Sequence, residues 1–308
     1  DPVLQQVEQF NNPSTTANDA FKPVTRYFDR ITRPEQIIQS FPIAVQTMLD
    51  PADCGPACIS LSQDIQGQTF DYPVEFFQEK VHTIRRPRPD EFQIKEAAAK
   101  IKSSKNPIII SGGGVFYSDA MEELSQFAIK HNIPVTQTVM GYSTMKRDHS
   151  HFAGQIGGLG GKNTNTLAKE TDLAIAVGTK LADFTTGSWA NFENENFKLV
   201  SINVSRYDAN KHLAQAVVGD AKVSLTELSQ ALGDWKVGED WNKKSQIELK
   251  SWNEHIDKES APTNQEVPSY VQAIGAIYRN SDPTDIAVTA AGGLVGEVIQ
   301  VWRPRELN

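Results

Sequence analysis

Apolar residues in this chain gather into short β-rich runs that stop at glycine, separated by stretches with helical spacing. Ile108-Ile109-Ile110-Ser111 ends at Gly112-Gly113-Gly114, and Leu173-Ala174-Ile175-Ala176-Val177 ends at Gly178-Thr179. A run apolar on both faces reads as a strand covered on both sides, and glycine at its end lets backbone approach a ligand closely. Around these runs the pattern predicts helices over Glu91–Lys102 and Asp119–His131, the second with Asp119 and Glu122 in capping-box positions. It also predicts a strand over Pro134–Thr138, a helix near Asn163–Glu170, strands over Lys198–Asn203 and Ala216–Val218, and a closing helix over Ala221–Leu232. Alternating strand and helix call for right-handed crossovers and an α/β, doubly wound parallel sheet, whose ligands sit at the carboxyl ends of the strands.

The flanks are thinner. Pro34–Leu49 reads as a helix, with Pro34 at its first turn and Ile37, Ile38, Phe41, Val45 and Met48 near helical spacing. Asp50-Pro51 ends it, and Gly55–Leu61 reads as a buried strand. Arg85-Arg86-Pro87-Arg88-Pro89-Asp90 is charged and proline-punctuated, the composition of an extended, exposed linker. Beyond Leu232 come a polar helical stretch (Asp240–Lys258), a helix around Pro268–Tyr278, and a strand Asp285–Thr289 running into Ala290-Ala291-Gly292-Gly293. That last step opens a further α/β unit, and a lone helix–strand step cannot bury its own apolar faces. The chain is therefore expected to be a piece of a longer one, or to need partner segments.

Composition narrows the class. A chain of 308 residues, 39% hydrophobic and 22% charged, is ordinary for a globular protein with a substantial core. Its net charge of -8 argues against nucleic acid as a partner, and no apolar run approaches the roughly 20 residues that span a bilayer. Cys54 and Cys58 are the two cysteines; without a second pair they read as small buried residues in a reducing compartment, which favours the cytoplasm.

Candidate chemistry is sparse. Tyr117 stands where a GxGxxG fingerprint needs its last glycine, and Asp119, Glu122 and Glu123 crowd the next helix with negative charge. A tight turn and a phosphate cradle both remain open for Gly112–Gly114. Five glycines between 154 and 161 read either as a flexible loop over a cleft or as a mobile surface loop. His149 and His151 lack an obvious third ligand, so an exposed, hydrogen-bonded pair is the better reading than a metal site. No nucleophile or acid–base pair can be named from the residues.

Taken in order, the segments resemble the thiamine diphosphate-dependent enzymes. Those that carry the likeness are Asn18–Thr25, Gly55-Pro56 with Asp64, the Gly112 turn, Gly178–Asp183, Gly219-Asp220 and Thr289–Gly293. Within that family Asp1–Gln6, Arg26–Ile31, Asp50–Ala57 and Asp183–Ser188 are most similar to the ring-opening hydrolases of bacterial inositol catabolism. The resemblance implies that residues 1–75 are the C-terminal part of a pyrimidine-binding domain and 76–92 a linker. Residues 93–235 would then be a central Rossmann-like domain, and 236–308 a linker with the start of a diphosphate-binding domain. It implies thiamine diphosphate and magnesium as cofactors, a small-molecule substrate, and a homodimer or homotetramer.

The same resemblance places the family's activating glutamate before Asp1 and its magnesium motif after Asn308, so the chain alone is expected to be inactive, with no catalytic residue or metal ligand of its own. Phe21 falls at a substrate-channel position, although Lys22 replaces the related synthases' glutamine. Gly292, Gly293 and Leu294 match the loop that meets the cofactor's diphosphate, without the usual Gly-Gln-His. Flavin-binding relatives use the regions of Gly112, Gly113, Gly114, Met140, Gly178, Thr179 and Asn203, but Asn203 and Ser205 replace two aspartates of their pattern, which argues against FAD. Two other readings are an acetolactate-synthase-like lyase or transferase, and a nucleotide-binding or oligomer-forming module without chemistry.

Overall fold

The computed structural model describes Asn11 and residues 15–304, so the Asp1–Gln6 segment lies outside the described residues. The chain divides into two compact units, Asp1–Arg85 and Arg86–Asn308.

In the first unit a 3-10 segment, Ala17–Val24, precedes β1 (Tyr27–Ile31), α1 (Ile37–Leu49), β2 (Ala57–Leu61) and the single turn α2 (Gln63–Gln66). Strands β1 and β2 pair in parallel. The polar pair Asp29-Arg30 hides β1 from a reading of hydropathy, and the structure shows why it is tolerated. The Asp29 carboxylate accepts from the Arg30 amide (2.8 Å), from Gln36 Nε2 (3.0 Å) and from the Ser40 hydroxyl. Helix α1 rests on this narrow ribbon, burying only Ser40 and Ala44, while Phe41 and Met48 stay exposed. Cys54 is exposed and Cys58 half-buried, which corrects the expectation that both are buried. Cys54 sits in the turn between helix and strand, where its thiol donates to the Met48 carbonyl at 3.1 Å.

The second unit opens with α3 (Glu91–Lys102), β3 (Pro107–Ser111), α4 (Gly113–Tyr117), α5 (Met121–His131), β4 (Val135–Gln137) and β5 (Phe152–Gln155). It continues through α6 (Lys162–Glu170), β6 (Leu173–Val177), α7 (Asp183–Thr186), β7 (Lys198–Asn203), α8 (Arg206–Ala209), β8 (Gln215–Val218) and α9 (Ala221–Leu232). Helices α10 (Glu239–Glu259), α11 (Tyr270–Arg279) and α12 (Gly293–Val301) follow. Among the described residues β3–β8 form one sheet in the order β5-β4-β3-β6-β7-β8, every pair parallel. Strand order reverses between β3 and β6, with β4 and β5 added on one side of β3 and β6 to β8 on the other, the topological switch point of a doubly wound sheet. Ile108, Ile109 and Ile110 are fully buried, as is all of β6, because helices cover both faces. Each such isoleucine contributes roughly 1.5–3 kcal/mol by leaving water.

Several local expectations are corrected. Asp119 does not open a helix: it has φ 52°, α5 begins at Met121, and the Asp119 carboxylate pairs with Lys222 at 3.0 Å. Arg86–Asp90 is extended but not simply solvated. Arg86 pairs with buried Asp220 (3.2 Å), the Asp220 amide donates to Pro87 O (2.8 Å), and Arg88 pairs with Glu227 (2.7 Å). Charge complementarity across α9 decided this, and single-segment composition does not contain it. Residues 285–289 form no strand, and Ile286 and Val288 are exposed. No strand among the described residues lies alongside to take their backbone hydrogen bonds, without which an extended run is not a strand.

The glycine-rich run 154–161 is packed rather than mobile. A side chain at Gly157, whose φ is +105°, would come within 2.0 Å of Phe184 O, and the Gly158 amide donates to that same oxygen at 2.7 Å. Gly154 lies inside β5, a strand its glycine concealed. The histidine pair is also not exposed: His151 is buried, its Nε2 facing Asn132 Oδ1 at 3.0 Å, and His149 faces Ser125 Oγ at 2.9 Å. Burial pushes both imidazoles below their ordinary range. Among the described residues no helix is long and apolar enough to cross a membrane.

Candidate functional site

The carboxyl ends of β3, β4, β6 and β7 converge at the switch point, and seven of the residues singled out by sequence come together there. The chain leaves β3 through Gly112, whose amide donates to Val177 O at 2.9 Å, and the Gly114 amide donates to Gly178 O at 2.9 Å. A Cβ on Gly112 would fall 2.5 Å from Gly178 O and 2.6 Å from Thr179 Cβ; one on Gly114 would fall 2.6 Å from Gly178 Cα. Gly178 itself has φ +60° and donates to Ile202 O at 2.9 Å. The glycines are needed because loop packs on loop.

Asn203 ties this arrangement from the β7 side. It is buried, its Nδ2 donates to Thr179 O at 3.1 Å, and its Oδ1 accepts from the Ser205 amide at 3.0 Å. A carboxamide performs both tasks; a carboxylate has no proton for the first. From the β4 side the Thr138 amide donates to Ser111 O at 3.0 Å, and Gly141 packs against the same carbonyl. Met140 turns its side chain outward, 73% exposed, while its carbonyl closes over Gly113.

This geometry bears on the question left open for Gly112–Gly114. Two amides that would face a pyrophosphate already donate to strand-end carbonyls, α4 is a five-residue helix, and the Asp119 carboxylate lies just beyond it. A turn whose donors are spent on its own fold does not fit the diphosphate of a flavin dinucleotide.

Gly292, Gly293 and Leu294 lie elsewhere, at the start of α12. Gly292 has φ +128°, a conformation that L side chains avoid, and built Cβ atoms at Gly292 and Gly293 meet nothing within 4 Å. No side chain caps this end, and the first turn holds no acidic residue. Unclaimed amides beside open space fit one end of an anionic group such as a diphosphate. Phe21 belongs to the first unit, half exposed on the Ala17–Val24 segment, next to the Lys22–Asp19 pair of 2.7 Å. Among the described residues no three His, Cys, Asp or Glu are grouped as metal ligands.

Sequence reasoning missed Arg147 and Tyr142, which lie between β4 and β5 and reach α12; burial pushes the Tyr142 hydroxyl pKa up and the Arg147 guanidinium pKa down. An isolated arginine in a polar loop carried no signal for this. The buried His131, at the end of α5, was missed because its partners lie about 100 residues further along the chain. Its Nδ1 lies 2.7 Å from Trp235 O and its Nε2 3.0 Å from Ser229 Oγ, tying α5 to the segment after α9.

Residues 94–228 match the family model described as thiamine pyrophosphate enzyme, central domain, over the span that forms the six-stranded sheet. Over this span the chain is similar to the central domain of thiamine pyrophosphate enzymes. The chain is also similar to proteins named 3D-(3,5/4)-trihydroxycyclohexane-1,2-dione hydrolase. With that of Clostridium perfringens (strain 13 / Type A) it is 38% identical over 325 residues, which is 98% of this chain and 51% of the relative. With that of Bacillus licheniformis it is 40% identical over 334 residues, 100% of this chain and 52% of the relative. With that of Clostridium tetani the identity is 37% over 332 residues, again 100% and 52%. The chain thus spans about half the length of the curated relatives it matches.

Proposed function

We propose that the complete gene product is a thiamine diphosphate-dependent hydrolase that opens the ring of trihydroxycyclohexane-1,2-dione by adding water across a carbon–carbon bond. The observation that carries this reading is similarity along 98–100% of the chain to hydrolases of that name, not confined to the central domain. Under this reading residues 1–75 belong to a pyrimidine-binding domain, 76–92 are a linker, 93–235 are the central Rossmann-like domain, and 236–308 lead into a diphosphate-binding domain. When bound, the cofactor supplies a nucleophilic carbon and an electron sink, and the protein's task is to place and tune it.

This chain's own residues then have limited roles. The open amides at Gly292, Gly293 and Leu294 receive the cofactor's diphosphate, and the Gly292 backbone keeps side chains away from it. Phe21 lines the substrate's approach with an apolar ring. Gly112–Gly114, Met140, Gly178, Thr179 and Asn203 hold the central domain together, and their spent donors support a reading without FAD. The proposed protein is a cytoplasmic homodimer or homotetramer that takes magnesium along with the cofactor.

Chromatographic assay of the complete gene product with thiamine diphosphate, Mg²⁺ and the cyclic dione tests the reading. The expected result is a ring-opened deoxy-glucuronic acid, formed only when the cofactor is present. Inert dione alongside condensation of two 2-keto acids would move the protein to the acetolactate-synthase-like group.

A further inference from the structure

Helix α12 carries the Gly292–Leu294 turn at its start, and four side chains from outside the helix grip its other end. Arg147 Nη2 donates to Ile299 O at 2.8 Å and to the Tyr142 hydroxyl oxygen at 3.0 Å, while the Tyr142 hydroxyl donates to Trp302 O. Trp252 Nε1 donates to Gln300 Oε1 at 2.9 Å, and Gln300 Nε2 donates to Leu159 O at 2.7 Å. The fourth, the Tyr278 hydroxyl, donates to Arg303 O at 3.1 Å.

Arg147 takes part in no ion pair among the described residues. Its guanidinium lies 5.4 Å from the Tyr142 ring centre and 5.9 Å from that of Phe152. A cation desolvated between rings, donating to the helix-end carbonyl of Ile299, complements the negative end of the helix dipole. It is an expensive way to hold a helix end, and it fixes direction as well as position, because the planar Nη2 group donates at set angles to both Ile299 O and the Tyr142 hydroxyl.

A nine-residue helix is a rod about 13 Å long, so a tilt at its carboxyl end is delivered to its amino end. We propose that Arg147, with Tyr142, is a positioning clamp: by fixing the end of α12 it sets where the Gly292–Leu294 amides stand for the cofactor's diphosphate. This rests on the assignment of that turn to the diphosphate. The relevant partner is thus not the substrate but the anionic end of the cofactor, reached through the helix.

The test uses the complete gene product and the variants Arg147→Met, Arg147→Lys and Tyr142→Phe, read by hydrogen exchange and by saturation with thiamine diphosphate. Arg147→Met is expected to speed exchange in residues 294–303 and raise the half-saturating cofactor concentration roughly tenfold, because misplacements near 1 Å are costly at a preorganised site. KM for the dione stays unchanged. Arg147→Lys restores about half of the lost affinity on a logarithmic scale, since an ammonium reaches Ile299 O without the fork. Tyr142→Phe removes one oxygen only and keeps the experiment readable if Arg147→Met fails to fold.

Faster exchange with unchanged half-saturation would make the clamp merely structural and overturn the proposal. Unchanged exchange in 294–303 would overturn it too. A parent protein that does not saturate with thiamine diphosphate at all would instead sink the assignment of the turn, and the clamp with it.

Discussion

Gly141→Ala is expected to be among the most damaging single-methyl changes in the central domain. A Cβ there would lie 2.1 Å from Ser111 O and 2.8 Å from Ser111 C. That carbonyl cannot retreat, since it already accepts the Thr138 amide at 3.0 Å and ends a fully buried strand. Overpacking of this kind costs about 3 kcal/mol, and the cost falls on strand-end backbone and not on an adaptable side chain. At the usual size scaling this lowers the melting temperature by roughly 10 °C. Gly67→Ala is the control: its Cβ meets only Asp64 O, at 3.6 Å, on an exposed turn. Calorimetric scans of both variants decide the matter. Equal melting temperatures would show that the β3–β4 crossover is not as tight as described.

Asn203→Asp is the second large effect, and it bears on cofactor choice. The change restores an aspartate that flavin-binding relatives carry, yet here it removes the donor to Thr179 O and sets two acceptors 3.1 Å apart in a buried place. Leaving a buried carbonyl unsatisfied beside a charge costs about 2–3 kcal/mol, visible as a lower urea midpoint at neutral pH. The new carboxyl would have a raised pKa in the folded state, so the loss shrinks as pH falls through that raised value and the group can donate again. Flavin affinity is not expected to appear, because the Gly112 and Gly114 amides remain committed to Val177 O and Gly178 O. A variant that binds FAD with undiminished stability would refute both parts.

The central sheet was legible in the sequence because its strands are buried on both faces. Ile108–Ser111 and Leu173–Val177 announce themselves as unbroken apolar runs, and the helices at Glu91–Lys102 and Ala221–Leu232 have the bounds that periodicity suggests. Strands with a polar pair or a glycine inside them, β1 and β5, were hidden, since their partners rather than their hydropathy make them strands. The Asp285–Thr289 run shows the converse: apolar alternation without a neighbouring strand stays irregular.

At the site, the glycines were visible but their meaning was not. Gly112 and Gly178 read equally well as a phosphate cradle or as a close crossing of two loops, and only the hydrogen-bond partners separate the two. Arg147 was out of reach of sequence reasoning because the helix-end carbonyl it holds, Ile299 O, lies 152 residues away in the chain.

Calorimetric titration of the complete gene product with thiamine diphosphate and Mg²⁺, followed by FAD, tests the central claim most directly. The account predicts saturable heat for thiamine diphosphate and none for FAD. Saturable FAD binding at the switch-point crevice, or no response to thiamine diphosphate, would contradict it.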